Sequence, residues 1–90
     1  MRAWGIIKRG EQEATEAIIP LNIKKRTEMP LDIEYMSDFI SELARELDIE
    51  RPVIVKKHVS ELLRFGHVTF KKADFIDAID FDKFTVEIIE

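Results

Sequence analysis

Ninety residues, 46% apolar and 36% charged with only three glycines and three prolines, suffice for one hydrophobic core and are too few for two. The absence of cysteine excludes disulfides, thiolate metal sites and catalytic thiols, and it fits a reducing compartment. The net charge of −4 is unevenly spread: residues 51–72 carry six basic side chains against one acidic, and residues 31–50 one against seven, so a basic block follows an acidic one.

Residues 2–9 alternate, with Trp4, Ile6 and Lys8 on one side and Ala3, Gly5 and Ile7 on the other. The polar stretch Gly10-Glu11-Gln12-Glu13 then predicts a hairpin turn. Its return strand is expected from Ala14 to Leu21, and Pro20, which cannot donate to a ladder, places that strand at a sheet edge or ends it there. The apolar stretch near the N-terminus is broken by charge and too short for a signal-peptide core, and no apolar span of ~18 residues occurs. A soluble cytoplasmic protein without membrane contact is expected.

Residues 32–48 give the strongest helical signal. Met36, Phe39, Ile40, Leu43, Ala44 and Leu47 recur at spacings of three and four, with Asp38, Glu42, Arg45 and Glu46 opposite them. Asp32 is the expected N-cap, and Glu34 complements the positive helix end. Arg51-Pro52 closes the region, because a residue before proline is driven to extended geometry. Val53-Ile54-Val55 reads as a short buried strand or extended crossing. Lys57 to Phe65 reads as a second, shorter helix or an irregular turn, with Gly66 as a left-handed stop. Val68 to Phe70 is a brief strand, Asp74 to Ile79 a single helical turn, and Lys83 to Ile89 an alternating strand.

The fold class expected is α+β in a single domain over residues 1–90. A small antiparallel sheet, made of the N-terminal hairpin, a short middle strand and the C-terminal strand, packs against one long amphipathic helix plus short helical turns.

Trp4-Gly5, Arg51-Pro52, Lys57, Arg64-Phe65, Phe70, Phe75-Ile76, Ile79-Asp80-Phe81-Asp82 and the closing Val86-Glu87-Ile88-Ile89-Glu90 resemble a family of small proteins of anaerobic Firmicutes. The resemblance covers the last forty residues well and the N-terminal half weakly. This chain departs from the family pattern at Ile54, where tryptophan is usual, and at Ala73, where a polar residue is usual. What the resemblance implies is a small α+β fold in a cytoplasmic bacterial protein and no catalytic activity.

The residues themselves point away from catalysis. Asp74, Asp77, Asp80 and Asp82 lack the glycine and the bidentate glutamate of a calcium loop, and the interleaved Phe75, Ile79, Phe81 and Phe84 explain their spacing as apolar inward, acidic outward. His58 and His67 are the only imidazoles, and His58 with Glu61 offers two metal ligands where a catalytic zinc takes three. His58 is expected to be partly exposed on a helix. Ser37, Ser41 and Ser60 sit in no nucleophile elbow, and Gly5, Gly10 and Gly66 form no phosphate loop. No catalytic residue, metal or cofactor is therefore assigned.

The expected function is that of a non-enzymatic protein-interaction or regulatory module, whose candidate surface is Arg51, Lys56, Lys57, Arg64, Lys71 and Lys72. The alternative is a weak nucleic-acid-binding accessory using the same basic segment 51–72, which requires Phe65 or Phe70 to be exposed for stacking. The apolar pattern places both rings in the core, and the pI near 5.2 weighs further towards a protein partner.

Overall fold

The structure, a computed structural model, describes residues 1–30 and 32–90, and of residues 12–14 and 26 the backbone alone. Strand β1 (Arg2–Arg9) turns through Gly10 and Glu11 into β2 (Gln12–Pro20). Gly10 supplies the positive φ, 65°, that a two-residue hairpin loop needs at its first position. The return strand thus begins two residues before the expected Ala14. The pairing register with β1 shifts at Ile7/Lys8, as at a β-bulge.

Helix α1 (Ile33–Glu46) and helix α2 (Lys56–Phe65) precede β3 (His67–Lys71) and β4 (Lys83–Ile89). The strands form one antiparallel sheet in the order β2-β1-β4-β3. Pro20 lies at the end of an edge strand, where its missing N–H costs no ladder bond.

Side-chain alternation gives the sheet two different faces. Ala3 and Ile7 of β1, Val68 and Phe70 of β3, and Phe84, Val86 and Ile88 of β4 are buried and meet Met36, Phe39, Ile40 and Leu43 of α1 and Leu62 of α2 in one core. Gly5 lies on this face because α1 approaches closely: a Cβ there would stand 3.1 Å from Cε1 of Phe84 and 3.3 Å from the methyls of Leu43 and Leu47. The opposite face carries Trp4, Ile6 and Lys8 of β1, Lys83, Thr85 and Glu87 of β4, and His67, Thr69 and Lys71 of β3, paired in register across the strands.

The Asp32 carboxylate caps α1 by accepting from the Tyr35 N–H at 2.6 Å. The helix is shorter than its apolar stripe predicts. It stops at Glu46 because Asp48 adopts a left-handed φ of 56°, a geometry that a short carboxylate side chain tolerates. The Ile49 N–H then turns back to the Ala44 carbonyl at 2.9 Å. With 14 residues in α1 and 10 in α2, two comparable helices cover the sheet, which corrects the expectation of one long helix with short turns.

Three further expectations are corrected. Residues 53–55 form no strand, which leaves the extended crossing of the two alternatives: Val53 and Val55 are 45% and 43% exposed, and the segment is held by the Val53 N–H to the Asp74 carbonyl at 2.7 Å and by the Val55 N–H to His58 Nδ1 at 3.0 Å. The helical turn expected at 74–79 is instead a 3-10 turn at Lys72–Asp74. After it the chain buries Phe75 edge-on against Phe81 and leaves Ile76 84% exposed. Phe65, expected in the core, is 58% exposed, because Leu62 already occupies the inward position of the last turn of α2.

Candidate functional site

The six basic residues singled out in the sequence do not line one depression. Lys56 and Arg64 border a groove along α2, Lys57 and Lys71 border a cleft between α2 and β3, and Arg51 borders a third hollow beside Val53 and Ile76. The Lys72 ammonium lies 3.9 Å from the Asp82 carboxylate. Contiguity along a chain says little about contiguity on a surface when the segment spans a helix, a turn and a strand.

The groove along α2 has a volume of about 570 Å³. Val59 and Leu63, one helical turn apart, form its floor, and Ile33 and Asp32 at the start of α1 form its far wall. Ser60 lies between the two charged residues. Lys56 and Arg64 stand eight positions apart, about 12 Å along the helix, so an apolar floor is bracketed by two cations. Val59 and Leu63 remain part-buried rather than sealed.

The cleft of about 380 Å³ between α2 and β3 is polar. At its base lies His58, 2% exposed, a correction to the partly exposed helix position expected for it. Its ring packs on Phe70 with centroids 4.7 Å apart, and Nδ1 accepts the Val55 N–H at 3.0 Å, reaching back from the first turn to the N-cap backbone as in one half of a capping box. An Nδ1 that accepts is unprotonated, so the neutral ring carries its proton on Nε2. That atom points to Asp74 Oδ1 at 3.5 Å without forming a hydrogen bond. Asp74 Oδ2 in turn accepts the Lys71 N–H at 2.9 Å. With Nδ1 occupied by a donor and Nε2 protonated, neither nitrogen has a free lone pair for a metal or for a substrate proton.

The Asp80 and Asp82 carboxylates of the C-terminal segment, and Glu50 before α2, fasten loops. Asp80 pairs with Arg9 at 3.3 Å, Asp82 accepts the Gly10 N–H, and Glu50 accepts the Asp77 N–H at 3.3 Å. Asp80 and Asp82 thereby tie the hairpin turn to the approach to β4.

Burial lowers the His58 pKa below its ordinary 6.5, against the opposing pull of the Asp74 carboxylate. The unfolded chain therefore takes up this proton more readily than the folded one. Stability should be level above about pH 7.5 and should fall as pH drops through 6.5 towards the folded-state value. Urea midpoints measured from pH 7.5 to 5.5 are expected to decline, and His58→Gln should flatten the decline. An equal decline in that variant would assign the titration to other groups.

No helix among the described residues is long and apolar enough to cross a membrane. No family model matches the chain, and no curated protein and no solved structure matches it.

Proposed function

We propose that the protein acts by binding rather than by catalysis, as a small interaction module that seats an acidic amphipathic helix of another protein in the groove along α2. The observation that supports this reading is the apolar floor of Val59 and Leu63 bracketed by Lys56 and Arg64. A helix laid in the groove buries one aliphatic stripe against the floor, and carboxylates two turns apart on its flank meet the two cations. Apolar contact supplies the affinity and the bracket sets register and direction.

The reading of segment 51–72 as a continuous nucleic-acid surface gains no support from the distribution of its cations over separate hollows.

Titrating labelled protein with a model helix bearing leucines at spacings of three and four, and glutamates two turns apart, should move the resonances of Val59, Ser60 and Leu63. Lys56→Glu and Ser60→Asp change exposed residues, so the fold is expected to stand while affinity drops severalfold. A lysine-flanked version of the same helix should bind more weakly. Equal binding of the two helices, or shifts confined to other surfaces, would end this reading.

A further inference from the structure

Folding assembles a cationic cluster that no window of the sequence contains. In the sheet register Lys8 of β1 stands opposite Lys83 of β4, and Lys83 stands opposite Lys71 of β3. All three point to the face away from the helices and are exposed. They form a straight row across three strands spaced about 4.8 Å apart. Like charges directly opposite each other in a sheet are destabilising. Among the described residues no carboxylate lies within 4.0 Å of any of them. Glu13 is the register partner of Lys8 on the hairpin side, while Lys83 and Lys71 have no acidic partner across the sheet.

Beside the row, the same face offers hydroxyls, and the adjoining β3 edge offers rings. Thr69 and Thr85 share a hydrogen bond of 3.1 Å in the next register position. At the start of β3 the exposed Phe65 ring lies 6.1 Å from His67 at an interplanar angle of 30°, with the Arg64 guanidinium 5.5 Å from the Phe65 centroid. Phe65, His67 and Lys71 all line the cleft along the β3 edge, so ring and ammonium open on one continuous surface. Four residues of strand, about 14 Å, separate His67 from Lys71.

We propose that this face binds single-stranded nucleic acid, with phosphates on Lys71, Lys83 and Lys8 and a base stacked against Phe65 and His67. An acidic protein would use the lysines and leave the rings idle, whereas a polynucleotide alternates aromatic bases with phosphates and uses both. The site shares with the groove along α2 only Arg64, which lies beside the Phe65 ring. It answers the stacking condition through a ring that the apolar pattern had assigned to the core.

The test is fluorescence anisotropy of a labelled oligothymidylate with the full chain, against inorganic polyphosphate as competitor. Saturable binding is expected at low salt, with log affinity falling against log salt at a slope of about −2, as for three phosphates at ~0.7 each. Lys83→Glu should weaken binding on the order of tenfold and yet raise the melting temperature, because it replaces two repulsive pairs with two attractive ones. Phe65→Ala should weaken binding about 5- to 150-fold and leave the salt slope unchanged. Failure to bind at low salt, equally tight binding of polyphosphate, an unaffected Phe65→Ala, or a Lys83→Glu that is destabilised would each overturn the proposal.

Discussion

Phe84→Ala is expected to destabilise the domain by about 3–5 kcal/mol, a large part of the ~5–15 kcal/mol available to a domain of ordinary stability. Phe84 is fully buried on β4, which has a hydrogen-bonded neighbour on each side. Its ring lies 5.9 Å from Phe70 and fills the space left by the missing side chain of Gly5. Two flanking strands hold the backbone apart, so the void cannot close by local collapse. Urea denaturation should show the midpoint falling with little change in slope. A coupled effect follows: Gly5→Ala alone crowds Phe84 Cε1, whereas in the Phe84→Ala background only the mobile ends of Leu43 and Leu47 remain near the new methyl. The second substitution should then cost less than it does alone. A loss under about 1 kcal/mol for Phe84→Ala, or strict additivity of the pair, would show that the ring is not the keystone between β1 and α1.

Much of this packing is legible in the sequence, and the reason is periodicity. The period of two in Ala3, Gly5 and Ile7 and in Phe84, Val86 and Ile88 fixes which face of each strand turns inward. The spacing from Met36 to Leu43 does the same for α1. Signals set by single residues are legible too, namely Asp32 as a cap and Gly66 as a stop. Asp48 is not, because aspartate takes a left-handed φ only where the tertiary structure requires it, so the end of α1 is misplaced. Phe65 and His58 are missed for a related reason. On a helix of ten residues the apolar stripe is narrow, and one step of 100° separates a ring in the core from a ring in solvent. At 53–55 the strand alternative fails and the extended crossing stands, because three β-branched residues in a row state a propensity and no partner.

The candidate surfaces divide in the same way. The groove along α2 uses neighbours on one helix and is partly visible as a pattern of Lys56, Val59, Leu63 and Arg64. The lysine row is invisible, since Lys8 and Lys83 lie 75 positions apart in the chain and only the strand order β2-β1-β4-β3 sets them opposite each other. A linear tally of charge assigns Lys83 to an acidic segment, yet in the sheet its neighbours are cations.

Gly66→Val should cost about 1–3 kcal/mol. Gly66 ends α2 at φ 77°, a region that places an L side chain against its own carbonyl, and a β-branched residue suffers most. The conformation is over-determined by its bonds. The Gly66 N–H donates to the Leu62 carbonyl at 2.9 Å, closing the helix, and the Gly66 carbonyl accepts the Ile88 N–H at 2.8 Å, anchoring the turn to β4. The chain cannot relax to negative φ without surrendering one of these and moving β3 relative to the helix. Gly66→Asn, whose side chain tolerates the left-handed region, should recover much of the loss, with Gly66→Ala in between. Because Phe65 and His67 flank this turn, strain there should also disturb their ring pair, visible as a change in the His67 ring resonances before global unfolding. Equal stability of the valine and asparagine variants would mean that the turn adapts freely, and the account of how α2 hands the chain to β3 would be wrong.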